Sequence, residues 1–132
     1  KTTPYPGIPE LLDALAERGL RLAVLSNKPD HFTRMCVRGL LKHCRFDVVL
    51  GTRPGVPIKP DPTGALEIAE RLGLPPPEFV YLGDTGTDMR TACGAGMYPV
   101  GALWGFRPGE ELSANGARTL IGDPRELLSL VQ

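Results

Sequence analysis

The 132-residue sequence predicts a three-layer α/β fold, a parallel sheet covered by helices on both faces. Three observations predict it. Short apolar runs alternate with stretches whose apolar residues recur at helical spacing, the pattern of strand-helix-strand crossovers. The sixteen glycines and fourteen prolines fall at the joints between these segments rather than in a low-complexity run. The runs are also apolar almost throughout, as in strands buried on both faces of a parallel sheet.

Each element can be justified in order. Pro4-Tyr5-Pro6-Gly7 reads as an extended lead-in. Ile8, Leu11, Leu12 and Leu15 then recur at helical spacing up to Gly19, with Pro9 in the first turn, where its missing N–H costs nothing. Leu20 to Leu25 is a short apolar strand that ends in the polar cluster Ser26-Asn27-Lys28-Pro29. A second helix is predicted over 30–41, with Phe32, Met35, Cys36 and Leu40 on its inner face, and a second strand over Phe46 to Leu50. Gly51 to Asp61 is a loop carrying Arg53, Ile58 and Lys59. It closes in Asp61-Pro62, a helix cap followed by proline at the first helical position.

The apolar residues of the next helix, Ala65, Leu66, Ile68, Ala69 and Leu72, run to Gly73, where it stops. Pro75-Pro76-Pro77 delivers the chain to a strand at Phe79 to Leu82. A short helix is predicted over 88–93, broken by Gly94-Ala95-Gly96-Met97 before a strand at Tyr98 to Leu103. Smaller pieces follow: a helix near 108–114, a brief strand at Thr119-Leu120-Ile121, and a final helix from Asp123-Pro124-Arg125-Glu126 to Val131.

Bulk properties exclude several classes. Fifteen basic side chains balance fifteen acidic ones, so nothing in the charge supports a nucleic acid or a membrane surface as partner. No apolar run approaches the roughly 20 residues of a bilayer-spanning helix, and the first residues lack the pattern of a signal peptide. Cys36, Cys44 and Cys93 are odd in number and lack zinc-ligand spacing, which points to reduced thiols and a cytoplasmic chain. One domain over residues 1–132 is expected, long enough for a core without disulfides.

In such a sheet, ligands bind beyond the carboxyl ends of the strands. Three polar clusters lie there. Ser26-Asn27 follows one strand, the Lys59 loop follows the next, and Gly83-Asp84-Thr85-Gly86-Thr87-Asp88 follows the third. Asp84 and Asp88, four residues apart where a helix opens, can hold Mg2+, which takes one or two carboxylates and fills its shell with water and substrate oxygens. They can equally cap the helix. Ser26 and the Asn27 N–H can donate to phosphoryl oxygens, and Lys59 supplies a point positive charge. Singly, Ser26 is a helix cap and Lys59 a solvated side chain. Their common rim is what points to a phosphoryl group.

These residues also carry a family resemblance. Leu25-Ser26-Asn27-Lys28, Lys59-Pro60-Asp61-Pro62 and Gly83-Asp84-Thr85-Gly86-Thr87-Asp88 resemble, in order, the second, third and fourth motifs of the haloacid dehalogenase superfamily. Tyr5-Pro6-Gly7, 92–97 and 101–107 resemble its phosphoglycolate phosphatase group. The resemblance implies a Rossmann-like sheet and Mg2+-dependent hydrolysis of a small phosphorylated substrate such as 2-phosphoglycolate. It also implies roles: Ser26 and Asn27 bind the phosphoryl group, Lys59 stabilises it, Asp84 ligates Mg2+, and Asp88 completes or orients that site.

One departure is large. The superfamily begins with a strand ending in Asp-x-Asp, whose first aspartate attacks phosphorus and whose second is general acid and base. No such segment occurs here. The chain therefore reads as the carboxyl-terminal part of a longer phosphatase, without nucleophile or cap, and inactive alone. The alternative is a non-catalytic module that binds phosphate or a partner. Because the missing strand would be central, the strands ending at Ser26 and Gly83 are expected to face each other across a gap. That gap would be closed directly, filled by a strand of a second copy in a homo-oligomer, or filled by an upstream segment.

Overall fold

The computed structural model describes residues 7–29, 46–52, 54–105 and 107–131. The helix expected over 30–41, Cys36, Cys44, Arg53 and Phe106 lie outside them. The described elements are α1 (Ile8–Glu17), β1 (Ala23–Pro29), β2 (Val48–Thr52), α2 (Thr63–Leu72), β3 (Val80–Gly83), α3 (Gly86–Ala95), β4 (Tyr98–Ala102), α4 (Gly109–Ala114) and β5 (Thr119–Ile121). One-turn 3-10 segments span Pro76–Glu78 and, slightly longer, Pro124–Ser129.

All strand pairs are parallel, as the apolar runs predict. Among the described residues, however, they form two sheets, β1–β2 and β3–β4–β5. Ala23, Val24 and Leu25 register with Val48, Val49 and Leu50, and Val80 to Gly83 register with Tyr98 to Gly101. β1 and β3 do not pair, so direct closure of the expected gap is not what the chain does. An open cavity of about 470 Å3 separates them, lined by Val24 and Leu25 on one side and by Val80, Tyr81 and Leu82 on the other.

Burial shows the same division. Pro99 to Ala102 of β4, flanked by β3 and β5, are all buried, whereas β3 is only half-buried at every position. A strand with one neighbour and an empty flank keeps its backbone edge accessible.

Side-chain alternation along β3 sorts the layers. Val80 and Leu82 face a cluster of Leu11, Leu15, Val100, Ile121 and Leu127, contributed by α1, β4, β5 and the last 3-10 segment. Phe79 and Tyr81 face the opposite cluster, where Ala65 and Ala69 of α2 meet Ala92 and Ala95 of α3. The small residues at that crossing let the two helices approach closely. Gly73 and Gly96 end α2 and α3 in the left-handed region, at φ of 68° and 79°, where glycine is favoured.

Several boundaries move from their sequence expectation. β1 runs through Ser26 and Asn27 to Pro29 because pairing with β2 continues past the apolar run, and the register shifts between Leu25 and Pro29. Leu20 and Leu22 instead pack against the α1 cluster. α3 begins earlier than Asp88 and absorbs Gly94. The last segment is a 3-10 helix with a capping box between Asp123 and Glu126.

Candidate active site

The acidic loop grows directly out of β3. Thr85 is extended and caps α3: its hydroxyl accepts from the Asp88 N–H at 3.1 Å and donates to Asp88 Oδ2 at 2.9 Å. The capping reading of Asp88 thus gives way to Thr85 as the cap, with Asp88 at the third helical position. The Thr-x-x-Asp spacing is the signal that could have found it. Asp88 is buried, and its other oxygen meets Lys59 Nζ at 2.7 Å, the two side chains being 11% and 13% exposed.

Lys59 reaches this position because Asn27 holds its backbone. The Lys59 N–H donates to Asn27 Oδ1 at 3.1 Å, and Asn27 Nδ2 donates to the Lys59 carbonyl at 3.5 Å. Lys59 Nζ also donates to the Leu25 carbonyl at 3.4 Å. The lysine therefore spans the division, tied to β1 through its backbone and to both β1 and α3 through its ammonium. A solvated side chain would make neither ammonium contact.

Tyr81, which no sequence signal marked, donates to Asp88 Oδ1 at 3.5 Å. Burial first, and then the neighbouring Asp88 charge, push its phenol well above the usual tyrosine range.

Asn27, Lys59, Asp84 and Asp88 line one polar cavity of about 540 Å3, with Arg90, Arg107, Glu111 and Asn115 along its far wall. Ser26 does not line it. It lies with Asn27, Lys59 and Asp61 in a small adjoining recess. Asp84 also borders the gap between the sheets, as do Lys59 and Asp88. A Cβ on Gly105 would come within 2.5 Å of Asp84 Oδ2, and one on Gly83 within 2.3 Å of Asp88 Cβ. Two glycines thus make room for the two carboxylates.

Among the described residues, no group of three or more His, Cys, Asp or Glu side chains is placed to hold a metal ion. The available donor set is the Asp84–Asp88 pair. Such a set suits an ion content with one or two carboxylates and several water or ligand oxygens, as Mg2+ is. It does not suit a closed tetrahedral zinc site.

A cation, amide donors and an acidic pair on one rim form a cradle for an anionic group beside a hard cation. Residues 1–102 match the family model of haloacid dehalogenase-like hydrolases. The chain belongs to that family. A phosphoglycolate phosphatase of Xylella fastidiosa (strain 9a5c) is 35% identical over 125 residues, 94% of this chain and 55% of the relative. The crystal structure of a provisionally assigned phosphoglycolate phosphatase from Lactobacillus delbrueckii subsp. bulgaricus is similar at a TM-score of 0.90 and 34% identity, covering 99% of this chain and 54% of that one. CbbY from Rhodobacter sphaeroides, solved in complex with phosphate, gives a TM-score of 0.84 at 28% identity, covering 96% and 57%.

The chain spans about half the length of the curated relatives it matches. Of the described residues, no helix is long and apolar enough to cross a membrane.

Proposed function

We propose that this chain is the carboxyl-terminal part of a Mg2+-dependent phosphomonoesterase that works through an aspartyl-phosphate on a small phosphorylated metabolite such as 2-phosphoglycolate. The observation that carries this reading is the Lys59–Asp88 contact, which joins the Asn27 cluster of one sheet to the acidic loop of the other on a single cavity. The phosphatase names of the relatives and the phosphate bound by CbbY support it.

Each residue then has a task. Asp88, committed to Lys59 and Thr85, positions the ammonium toward the phosphoryl oxygens. Asn27 donates to those oxygens from the cavity wall and Ser26 from the adjoining recess, and Asp84 would hold Mg2+ with Asp88 nearby. When bound, the ion neutralises the charge of the transferring phosphoryl group. The attacking carboxylate belongs to a strand outside this sequence, seated between β1 and β3. Its oxygen bonds to phosphorus as the ester P–O bond breaks, and the leaving oxygen takes a proton from a neighbouring acid. Water then attacks the phosphorus of the acyl phosphate, releasing phosphate and restoring the carboxylate.

That strand comes from an upstream segment; a strand of a second copy seated in the gap would make a homo-oligomer without supplying the nucleophile. The protein acts in the cytoplasm, with neither nucleic acid nor membrane as partner. Alone, the chain binds Mg2+ weakly and turns over nothing.

The test is phosphate release from 2-phosphoglycolate with Mg2+. We expect none from residues 1–132, and Mg2+-dependent release from a polypeptide in which an Asp-x-Asp strand precedes them. Robust turnover by the chain alone would overturn the covalent mechanism. Inactivity of every longer form, with phosphate still bound, would favour the non-catalytic module.

A further inference from the structure

The acidic loop is held from a distance of 25 residues. Glu111 Oε2 accepts from the Gly86 N–H at 3.0 Å, so a carboxylate of α4 takes up the first N–H of α3, two residues after Asp84 and two before Asp88. Its other oxygen accepts from Arg107 at 3.3 Å. The contact is built rather than incidental. Leu112, the next residue, is fully buried and anchors α4. Asn115 Nδ2 donates to the Glu111 carbonyl at 2.9 Å. A Cβ on Gly86 would come within 2.5 Å of Nδ2 of Asn115, the residue that ends α4, so the loop packs closely against that side chain.

A free first-turn N–H would have to be satisfied by water or by a rearranged loop. Thr85 already serves the Asp88 N–H, and Gly105 lies close against Asp84. Glu111 closes the remaining side. We infer that Glu111 is a positioning residue for the acidic pair: it fixes the Gly83–Asp88 loop through the Gly86 N–H, and its pairing with Arg107 is secondary. The consequence for metal binding rests on the Mg2+ reading given above; the positioning itself does not.

Glutamine keeps an acceptor for Gly86 but loses the charge for Arg107, whereas alanine loses both. The 132-residue chain and its Glu111→Ala, Glu111→Gln and Arg107→Ala variants would be followed by NMR. The readouts are Gly86 amide exchange, the Asp84 and Asp88 carboxyl-carbon shifts, and the response to Mg2+. Losing a charge-assisted hydrogen bond is expected to speed Gly86 exchange about tenfold in E111A. E111A should also displace the Asp84 and Asp88 signals and raise the Mg2+ midpoint. E111Q and R107A should stay near wild type in all three.

Equal damage in E111Q and E111A, or in R107A and E111A, would overturn the assignment to the Gly86 contact. Unmoved aspartate signals in E111A would overturn positioning. If wild type ignores Mg2+, the metal reading fails by itself, and the exchange and carbon shifts still decide the role of Glu111.

Discussion

The two sheets hold their halves of the site in different ways. The β3–β4–β5 half is locked: Thr85 caps α3, Glu111 takes the Gly86 N–H, and Gly83 and Gly105 admit Asp88 and Asp84 at distances no other residue permits. The β1–β2 half is looser. Ser26 and Asn27 lie on a two-stranded ribbon beside an open gap, and Asn27 is exposed. What joins them at the rim is Lys59, whose backbone is held by Asn27 of one half and whose ammonium reaches Leu25 of that half and Asp88 of the other. The contrast teaches that the carboxylates are pre-placed, whereas Asn27, a proposed phosphoryl donor, is tied to them only through a bridge.

Removing that bridge should have the largest effect. Lys59→Met leaves the Asp88 carboxylate buried without its cation, and breaking a buried pair from one side costs about 3 kcal/mol. K59M/D88N should recover part of that loss, giving a coupling of about 1 kcal/mol or more in a urea double-mutant cycle. Additive losses would mean that the contact does not bind the halves together.

The next effect separates locked from loose. Gly83→Ala sets a Cβ 2.3 Å from Asp88 Cβ, the root of a side chain committed to Lys59 and Thr85, and overpacking of this kind costs about 2 kcal/mol. Gly64→Ala sets a Cβ 2.8 Å from Leu25 Cδ1, the far end of a side chain bordering the open gap. Alanine also gains up to about 1 kcal/mol of helix propensity over glycine. G64A should therefore be close to neutral by thermal denaturation. A G64A loss equal to that of G83A would erase the distinction.

A smaller effect is read in alkali. Because the Tyr81 phenol titrates above its ordinary value in the folded state, the unfolded chain loses that proton first. The contribution is intact below about pH 10 and is lost as pH rises beyond it. Phenolate absorbance should show Tyr81 ionising late. In Asp88→Asn it should ionise earlier but remain raised, since burial is the larger cause.

Much of this was legible in the residues. Apolar runs located every described strand, because a strand buried on two faces leaves little room for polar side chains. Asn27, Lys59, Asp84 and Asp88 were recoverable from their places after those strands. The limits of β1 were not, since Ser26 and Asn27 fall in the irregular stretch between the paired residues Leu25 and Pro29, and local sequence does not display that pairing resumes at Thr52. Gly94 reads as a breaker, yet it lies inside α3 against Pro62, and Gly86, placed ahead of the expected helix, opens it against Asn115. Thr85 was readable from its spacing to Asp88. Tyr81 and Glu111 were not: one looks like any strand aromatic, and the other acts across a 25-residue separation.

The central claim is that two half-sites on separate sheets make one phosphoryl-binding rim. It is tested most directly by titrating the 132-residue chain with inorganic phosphate in the presence of Mg2+ and following backbone amide signals. The account predicts that Ser26, Asn27, Lys59 and the Asp84–Asp88 loop shift together with a single midpoint, and that K59M abolishes the common response. Shifts confined to one sheet, or separate midpoints for the two, would contradict it.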